Sequence, residues 1–190
     1  VAAFRSDLSI NRMNKDCLSL LEQRLGYRFS DLSFLRHALT HASMSADRLK
    51  SNERLEFLGD RVLGLLIAEM LFKTFPEESE GDLGYRFIAL ARREALVQVA
   101  HEIELGKHIL MSLGERETGG PTKDSLLADT CEALIAAIYC DGGIVAVRRF
   151  VEHFWTPHLS QDPLPIKDPK TALQEWSQAN GNDLPKYQTI

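Results

Sequence analysis

The chain of 190 residues lacks the motifs that mark several common enzyme classes. It has no G-x-S-x-G and no G-x-x-x-x-G-K, so the sequence gives no support for a serine hydrolase or a P-loop nucleotide-binding protein. The pair His101-Glu102 lacks the second histidine of an H-E-x-x-H zinc site. No glutamate has a histidine three residues later, which excludes a di-iron carboxylate bundle of the Glu-x-x-His type.

Cysteines and long apolar runs are also few, and the 22 basic residues are outnumbered by 27 acidic ones. The three cysteines, Cys17, Cys131 and Cys140, form no C-x-x-C pair, so we expect buried, reduced thiols. The net charge is −5, which is weak evidence against a phosphate-rich partner. Apolar runs such as Val62 to Ala68 are too short to cross a bilayer, and there is no signal peptide pattern. These absences predict a cytoplasmic protein with no membrane partner.

What remains is a strongly helical pattern. Apolar residues recur at three- and four-residue spacing from Cys17 to Phe154, and no segment there has strand periodicity, so we predict an all-α fold. Asn52 is expected to cap a helix that reaches about Phe75. Two histidines, His37 and His41, lie four residues apart, but no acidic third ligand follows at a useful spacing, so we interpret them as ordinary helix residues. The other expected elements are a helix at 82–102, a surface loop at 112–124, and helices at 125–139 and 144–154.

The composition changes after residue 156. Three prolines between Trp155 and Lys167 interrupt any helical period, so residues 157–167 are predicted to be a linker after a domain at 1–156. Residues 168–190 begin a new helical unit, but about 23 residues cannot bury a core of their own. We therefore expect 168–190 to be the first part of a second domain.

Carboxylates occur in two helices where core residues are expected. In the helix after Asn52, Glu53, Glu56 and Asp60 recur at i, i+3 and i+7 and so share one face of an otherwise apolar helix. In the helix after Ser125, the second pair, Asp129 and Glu132, is one turn apart and flanked by alanines. Carboxylates are rarely buried without a partner, because the desolvation penalty is several kcal/mol.

Three explanations for this pattern stay open at the level of spacing. The acids could face solvent, form buried salt bridges, or bind a divalent metal. The acidic stripe offers few nearby cations, since Arg54 and Arg61 are expected to point elsewhere. Two pairs of hard oxygen ligands suit Mg²⁺, and a two-metal site is a known arrangement for phosphodiester hydrolysis.

Longer motifs carry a resemblance to a known family. The segment Asn52 to Asp60 (NERLEFLGD) closely resembles the signature of the ribonuclease III family, and Lys123 to Asp129 (KDSLLAD) extends the match through Asp141-Gly142-Gly143. The segment Asp168 to Glu175 (DPKTALQE) resembles the start of the family's double-stranded-RNA-binding domain. The resemblance covers the chain from about Leu18 to its end.

The resemblance implies a function and a set of site residues. The expected activity is metal-dependent hydrolysis of double-stranded RNA by a homodimer that leaves short 3′ overhangs, as in the processing of rRNA and other RNAs. Mg²⁺ is the expected cofactor, with Mn²⁺ as a substitute. The implied metal ligands are Glu56, Asp60, Asp129 and Glu132, with Asp60 and Glu132 expected to be catalytic.

Further residues are implied at the dimer interface and on the RNA. Glu53 and Glu80 match acids near the interface and cleavage centre, and Phe57 matches an aromatic that inserts into the partner subunit. Lys123, Lys170 and Gln174 are expected RNA contacts, and Arg92 and Arg93 could also touch the RNA backbone. The fold implied is the helical endonuclease domain of the family, followed by a truncated α/β RNA-binding domain.

Two alternative functions are considered. A non-catalytic, dimeric RNA-binding or assembly protein on the same fold is expected to have lost one or more of the four acids, and all four are present. A metal-dependent nucleotide phosphohydrolase is expected to use His and Asp ligands together, and that pattern is missing.

Overall fold

The computed structural model describes residues 15–44, 47–159, 169–181 and 183. Within those residues all regular structure is helical, and the sole β-type pairing is an isolated bridge between Thr40 and Leu110, so the predicted all-α fold is confirmed. The helices are α1 (Lys15–Leu25), α2 (Leu32–Ala38), α3 (Glu53–Thr74), α4 (Glu80–Ala91), α5 (Arg93–Glu102), α6 (Leu113–Glu117), α7 (Asp124–Leu159) and α8 (Pro169–Ala179).

Helices α3 and α7 form the centre of the structure. They pack against each other along their length, and α5, α2 and α4 surround the pair. The core is made of aliphatic side chains from all of these helices together with the fully buried Trp155. Because α3 and α7 carry the carboxylates identified in the sequence, the best-packed part of the molecule is also the part that positions them.

Helix α7 is interrupted at the Asp141-Gly142-Gly143 segment, where the sequence predicted a helix end. Gly143 has φ 73° and ψ −174°, a backbone conformation that is strained for any residue with a Cβ. Asp141 accepts hydrogen bonds from the Tyr27 hydroxyl (2.6 Å) and from the backbone N–H groups of Ser30 (2.8 Å) and Asp31 (2.9 Å). This carboxylate therefore fastens the α1–α2 loop to the middle of α7.

Several sequence predictions differ from the structure. The helix expected at 82–102 is two helices, because Arg92 is extended (ψ 158°) and the Leu90 carbonyl accepts a hydrogen bond from the Trp155 indole instead (2.9 Å). The loop expected at 112–124 contains α6 and a short 3-10 turn. Asn52 does not cap α3 through its side chain, which is directed to Thr130 of α7 (3.5 Å). Both side chains are buried, so a contact between helices takes the place of the cap.

The prediction for the chain after residue 156 is only partly covered by the structure. Helix α7 continues through Pro157 to Leu159, three residues into the expected linker, whereas 160–168 lie outside the described residues. Helix α8 occupies the position where a new unit was expected to begin, but residues 182 and 184–190 are not described. The assignment of 168–190 to an RNA-binding domain stays a prediction.

Two smaller expectations concern the cysteines and the membrane. All three thiols are free and Cys131 is buried, but Cys140 is exposed, because it lies where α7 approaches its break. Helix α7 is longer than predicted and, by length and composition alone, could cross a bilayer. Half of its most apolar window is buried inside the protein, where it forms the core against α3 and α5.

Candidate metal centre

Three carboxylates from α3 and α7 meet at one point. One carboxylate oxygen each of Glu56, Asp129 and Glu132 lies within 4.8 Å of the other two, and all three side chains are partly buried. Around an octahedral Mg²⁺ with bonds of about 2.1 Å, adjacent ligand oxygens are about 3 Å apart and opposite ones about 4.2 Å apart. Side-chain movements of about 1–2 Å would bring the three oxygens to such spacings, so the donor set fits a hard divalent cation.

Two contacts between α3 and α7 hold the carboxylates together. Gly59 lies so close to α7 that a Cβ built on it would be 1.8 Å from the backbone oxygen of Glu132, which no larger residue could tolerate without a backbone shift. About two turns earlier, at the residue that precedes α3, the side chain of Asn52 reaches Thr130. Glu56 lies between these two contacts on α3, and Asp129 and Glu132 flank Thr130 and Cys131 on α7. The helix pair is therefore fixed at the level of the acids.

Burial and mutual repulsion make the three acids hard to ionise. Burial, followed by the nearby charges of Glu56 and Asp129, raises the pKa of Glu132 from its ordinary 4.5 to about 7. Burial is also the main reason that the pKa of Asp129 is raised. For Glu56, burial and the charges of Asp129 and Glu53 act in the same direction and raise its pKa. In the absence of a cation, the cluster therefore retains a proton near neutral pH.

The structure does not bring the fourth predicted ligand, Asp60, into this cluster. Its carboxylate forms an ion pair with Arg61, whose guanidinium also lies 5.3 Å from the centre of the Phe57 ring. The expectation that Arg61 points away from the acidic stripe is wrong, because it pairs with a member of that stripe. Both side chains of the pair are about half exposed or more, at 47% for Asp60 and 66% for Arg61, so water screens the attraction.

Of the residues expected at the interface and cleavage centre, Glu53 and Phe57 lie one turn apart on α3 and Glu80 lies on α4. Glu53 forms an ion pair with Arg48 (3.0 Å) and accepts a hydrogen bond from the Ser51 hydroxyl (3.1 Å). Its negative charge also contributes to the raised pKa of Glu56. Phe57 is 67% exposed, which is unusual for a phenylalanine on a core helix. Glu80 is exposed at the first residue of α4 and is not one of the three clustered acids.

The expected RNA contacts are less well defined. Lys123 is ion-paired with Glu115 (2.6 Å) just before α7 begins. Gln174 is half-buried on α8, and the side chain of Lys170 lies outside the described residues. The role of these three residues in RNA binding stays a prediction.

Two structural features escaped sequence reasoning. One is the pair of contacts made by Asn52 and Gly59 with α7, because spacing reveals which face a residue occupies but not what lies opposite. The other is the approach of His41 to Asp129, which brings together residues 88 positions apart. For the first feature, the sequence signal was that Asn52 and Gly59 belong to the segment used to infer the resemblance. The approach of His41 to Asp129 has no signal in the sequence.

The fold and the acid cluster together define a class of protein. A helical scaffold that collects three carboxylates around a site suited to a hard cation is typical of metal-dependent hydrolases of phosphate esters.

Comparison with known proteins narrows this class to one family. A family model described as "Ribonuclease-III-like" matches residues 31–159. Ribonuclease 3 of Anaplasma phagocytophilum (strain HZ) is 48% identical over 87% of this chain and 70% of its own length. Ribonuclease 3 of Rhodobacter capsulatus is 46% identical over 91% of this chain and 76% of its own length.

Solved structures give the same result. The nuclease domain of the Campylobacter jejuni ribonuclease III superposes with a TM-score of 0.72 at 38% identity, covering 80% of this chain and all of that domain. A second structure of that domain, described as flexible in a region involved in dimer formation, gives a TM-score of 0.69 at 40% identity. The chain belongs to the ribonuclease III family and is an endoribonuclease of that family.

Proposed function

We propose that the protein cuts both strands of double-stranded RNA, using Mg²⁺ held by Glu56, Asp129 and Glu132. The observation that supports this most directly is the meeting of those three carboxylates at one point of the α3–α7 contact. The rest of the proposal is that cleavage leaves short 3′ overhangs and serves to process rRNA and other RNAs in the cytoplasm. A non-catalytic RNA-binding role is disfavoured, because all four of the expected acids are present.

Asp60 is proposed as a further ligand that is engaged when the cation and RNA bind. It lies on α3 one turn after Glu56, and its present partner Arg61 is mostly exposed, so little free energy opposes their separation. Once separated, Arg61 is available to a phosphate of the RNA. Mn²⁺ is expected to replace Mg²⁺, since both prefer carboxylate oxygen ligands.

The chain's own residues prepare the site in two ways. Bound Mg²⁺ would supply a nucleophilic hydroxide near neutral pH and stabilise the negative charge on the leaving oxygen. Glu132, with its pKa of about 7, gives up its retained proton when a cation binds. Asn52 and Gly59 keep the two helices in register, so the acids are held in place before the substrate arrives.

The proposal is tested by incubating the protein with a long RNA duplex and sizing the products in Mg²⁺, in Mn²⁺ and in EDTA. We expect short duplex products with 3′ overhangs in both metals and intact RNA in EDTA. A single-stranded RNA of the same sequence serves as the control and should remain uncut. Cleavage in EDTA, or equal cleavage of both substrates, would contradict the proposal.

A homodimer is proposed to form through α3 and its neighbour α4. Phe57, Leu65 and Phe72 recur along the outer side of α3, where they are 67%, 60% and 73% exposed, and Ile88 of α4 is 66% exposed. Exposed apolar surface of this kind is typical of subunit interfaces. A two-fold dimer would cover this surface and place two acid clusters in one particle, one for each RNA strand.

Phe57→Glu is therefore expected to convert a dimer into a monomer, because it would place a charge in an apolar interface. Sedimentation at micromolar concentration, without RNA or metal, measures the change. Leu113→Glu is the matched control, since Leu113 is 70% exposed but lies on α6, away from α3. A wild-type monomer, or a Phe57→Glu variant that sediments as a dimer, would show that the apolar surface of α3 has another role.

A further inference from the structure

Three positively charged side chains act on the carboxylates of α7, and they differ in which carboxylates they reach. Burial raises the pKa of Asp129, and the charges of Arg93 and His41 oppose part of that rise. For Glu132 the opposing charges are those of Arg61 and Arg93. Arg93 is thus the one of these three cations that acts on both carboxylates of α7.

Arg93 can receive an anion without first leaving a partner. Arg61 is paired with Asp60 until that pair separates, and Lys123 is paired with Glu115. Arg93 is exposed and forms no ion pair or hydrogen bond through its side chain with any residue that the structure describes. An exposed guanidinium beside an acid cluster, with all five N–H donors available, is suited to a phosphate.

The backbone around Arg93 is firmly positioned. Arg93 is the first residue of α5, directly after the extended Arg92 that separates α5 from α4. The break is held by the hydrogen bond from Trp155 of α7 to the carbonyl of Leu90 (2.9 Å). Buried residues later in α5, such as Leu96 and Val99, pack this helix on α7. The backbone of Arg93 is therefore held on one side by the break at Arg92 and on the other by the packing of α5 on α7.

His41 is held on a different segment near the same acid. Its Nδ1 lies 2.9 Å from the Ser43 hydroxyl, whose oxygen accepts a hydrogen bond from the Ser112 backbone N–H (2.9 Å). The His41 backbone N–H donates to the Leu110 carbonyl (2.9 Å). These bonds orient the ring through Nδ1, and its second nitrogen, Nε2, has no hydrogen-bond partner among the residues that the structure describes.

We propose that Arg93, assisted by His41, binds the phosphate of the RNA strand that is cut at the acid cluster. The inference rests on the proposed function, since it takes the RNA phosphodiester as the anion. A guanidinium can donate two parallel hydrogen bonds to phosphate oxygens, so Arg93 would fix the orientation of the phosphate as well as supply charge. His41 would add one hydrogen bond from Nε2.

The test compares Arg93→Ala and Arg93→Lys with Arg149→Ala. Arg149 is the matched control, since it is an exposed arginine in the part of α7 after the break at Gly143, and its charge is not among those that act on the three acids. Single-turnover cleavage of an RNA duplex at saturating Mg²⁺ is expected to fall about 10- to 100-fold in Arg93→Ala, the usual effect of losing one charged contact to the reacting group. Arg93→Lys should recover part of that loss, and Arg149→Ala should stay within about twofold of wild type.

Binding gives a second measurement that does not depend on cleavage. In a Glu132→Gln background, the slope of log K against log salt for a short duplex should become less negative by about 0.9 when Arg93 is replaced, because one phosphate contact is lost. The same slope should be unchanged by Arg149→Ala. His41→Ala should lower the cleavage rate less than Arg93→Ala, and thermal melts in EDTA should show all variants folded.

Two results would overturn the proposal. In one, Arg93→Ala matches Arg149→Ala in both salt slope and saturated rate. In the other, Arg93→Ala changes only the Mg²⁺ concentration needed for half-maximal activity, which would mean that Arg93 merely balances the charge of the cluster. Failure of the proposed function is distinguishable, because the wild-type protein would then leave the duplex intact in Mg²⁺ before any variant is compared.

Discussion

Glu132→Gln is expected to abolish cleavage and, at pH 8 without metal, to make the protein more stable. The substitution keeps the shape of the side chain but removes one charge and one good ligand. A loss of about 4 kcal/mol of transition-state stabilisation corresponds to a roughly thousandfold lower rate, and a metal ligand is expected to contribute at least this much. Single-turnover cleavage at moderate Mg²⁺ measures this part of the effect.

The stability effect follows from the raised pKa of Glu132. Between its ordinary value of 4.5 and its value of about 7, the folded protein holds a proton that the unfolded chain has released. Wild-type stability therefore falls as pH rises through this range, and the loss is complete above pH 7. Full burial would make the loss about 3 kcal/mol, and the partial solvent access of Glu132 reduces it to about 1–2 kcal/mol.

Paired thermal melts in EDTA test the sign of this effect. Glutamine has no charge to bury, so the variant should melt about 2–8 °C above wild type at pH 8 and close to wild type at pH 4.5. Adding Mg²⁺ should raise the melting temperature of wild type more than that of the variant, because binding to the native state alone is stabilising. Glu152→Gln, at an exposed position of the same helix, is the control and should change neither property.

Two outcomes would contradict this account of Glu132. Cleavage at the wild-type rate across a Mg²⁺ titration would show that Glu132 is not a ligand that matters. Melting well below wild type in EDTA at pH 8 would show that the Glu132 carboxylate supports the fold through an interaction of its own.

Gly59→Ala is expected to be strongly destabilising. Its Cβ would be placed 1.8 Å from the backbone oxygen of Glu132 and 2.5 Å from the carbonyl carbon, and backbone atoms cannot rotate aside as a side chain can. Helix α3 must therefore move away from α7. Overpacking of this kind costs about 3 kcal/mol or more, which lowers the melting temperature by about 6–12 °C in a chain of this size.

The same displacement should weaken the metal site, because Glu56 moves with α3 while Asp129 and Glu132 stay on α7. The rise in melting temperature on adding Mg²⁺ should therefore be smaller in Gly59→Ala than in wild type. Gly64→Ala is a control on the same helix, since its Cβ would meet only the Phe87 ring at 3.5 Å.

Gly84→Ala provides a control of opposite sign. Its Cβ would meet no atom within 4 Å, so alanine should stabilise α4 by about 0.5–1 kcal/mol through its higher helix propensity. The account would be contradicted if Gly59→Ala melted at the same temperature as Gly64→Ala and its melting temperature rose on adding Mg²⁺ as much as that of wild type. The close approach of α3 and α7 would then not be what holds the acids together.

The sequence was sufficient to predict the helical fold and the face that carries the acids. Spacing of i, i+3 and i+7 placed Glu53, Glu56 and Asp60 on one side of α3, because helical geometry is local. Spacing could not show that Asp60 pairs with the adjacent Arg61. The Asp60 carboxylate can either pair with Arg61 or join the acids of α7, and its side-chain conformation decides which. Nor could it show that Arg93 approaches the cluster, because that depends on how α5 packs against α7.

The break between α4 and α5 has a similar origin. Nothing in the pattern from Asp82 to Glu102 interrupts a helix, and the residues at the break, including Arg92, are good helix formers. The interruption becomes favourable only when Trp155 is present to donate to the carbonyl of Leu90. A contact between residues 65 positions apart thus overrides the local preference for a continuous helix. The residues around the break do not predict that contact.

The three hydrogen bonds to Asp141 set a condition on how the protein can be made. The α1–α2 loop leaves the ribosome before α7, and its acceptor lies 110 positions after Asp31. At a synthesis rate of about 5–20 residues per second, roughly 5–20 s pass before that acceptor exists. Throughout this interval the apolar side of α2 has no helix α7 to pack on. The nascent chain must therefore keep this segment soluble, alone or with a chaperone, until the middle of α7 has been translated.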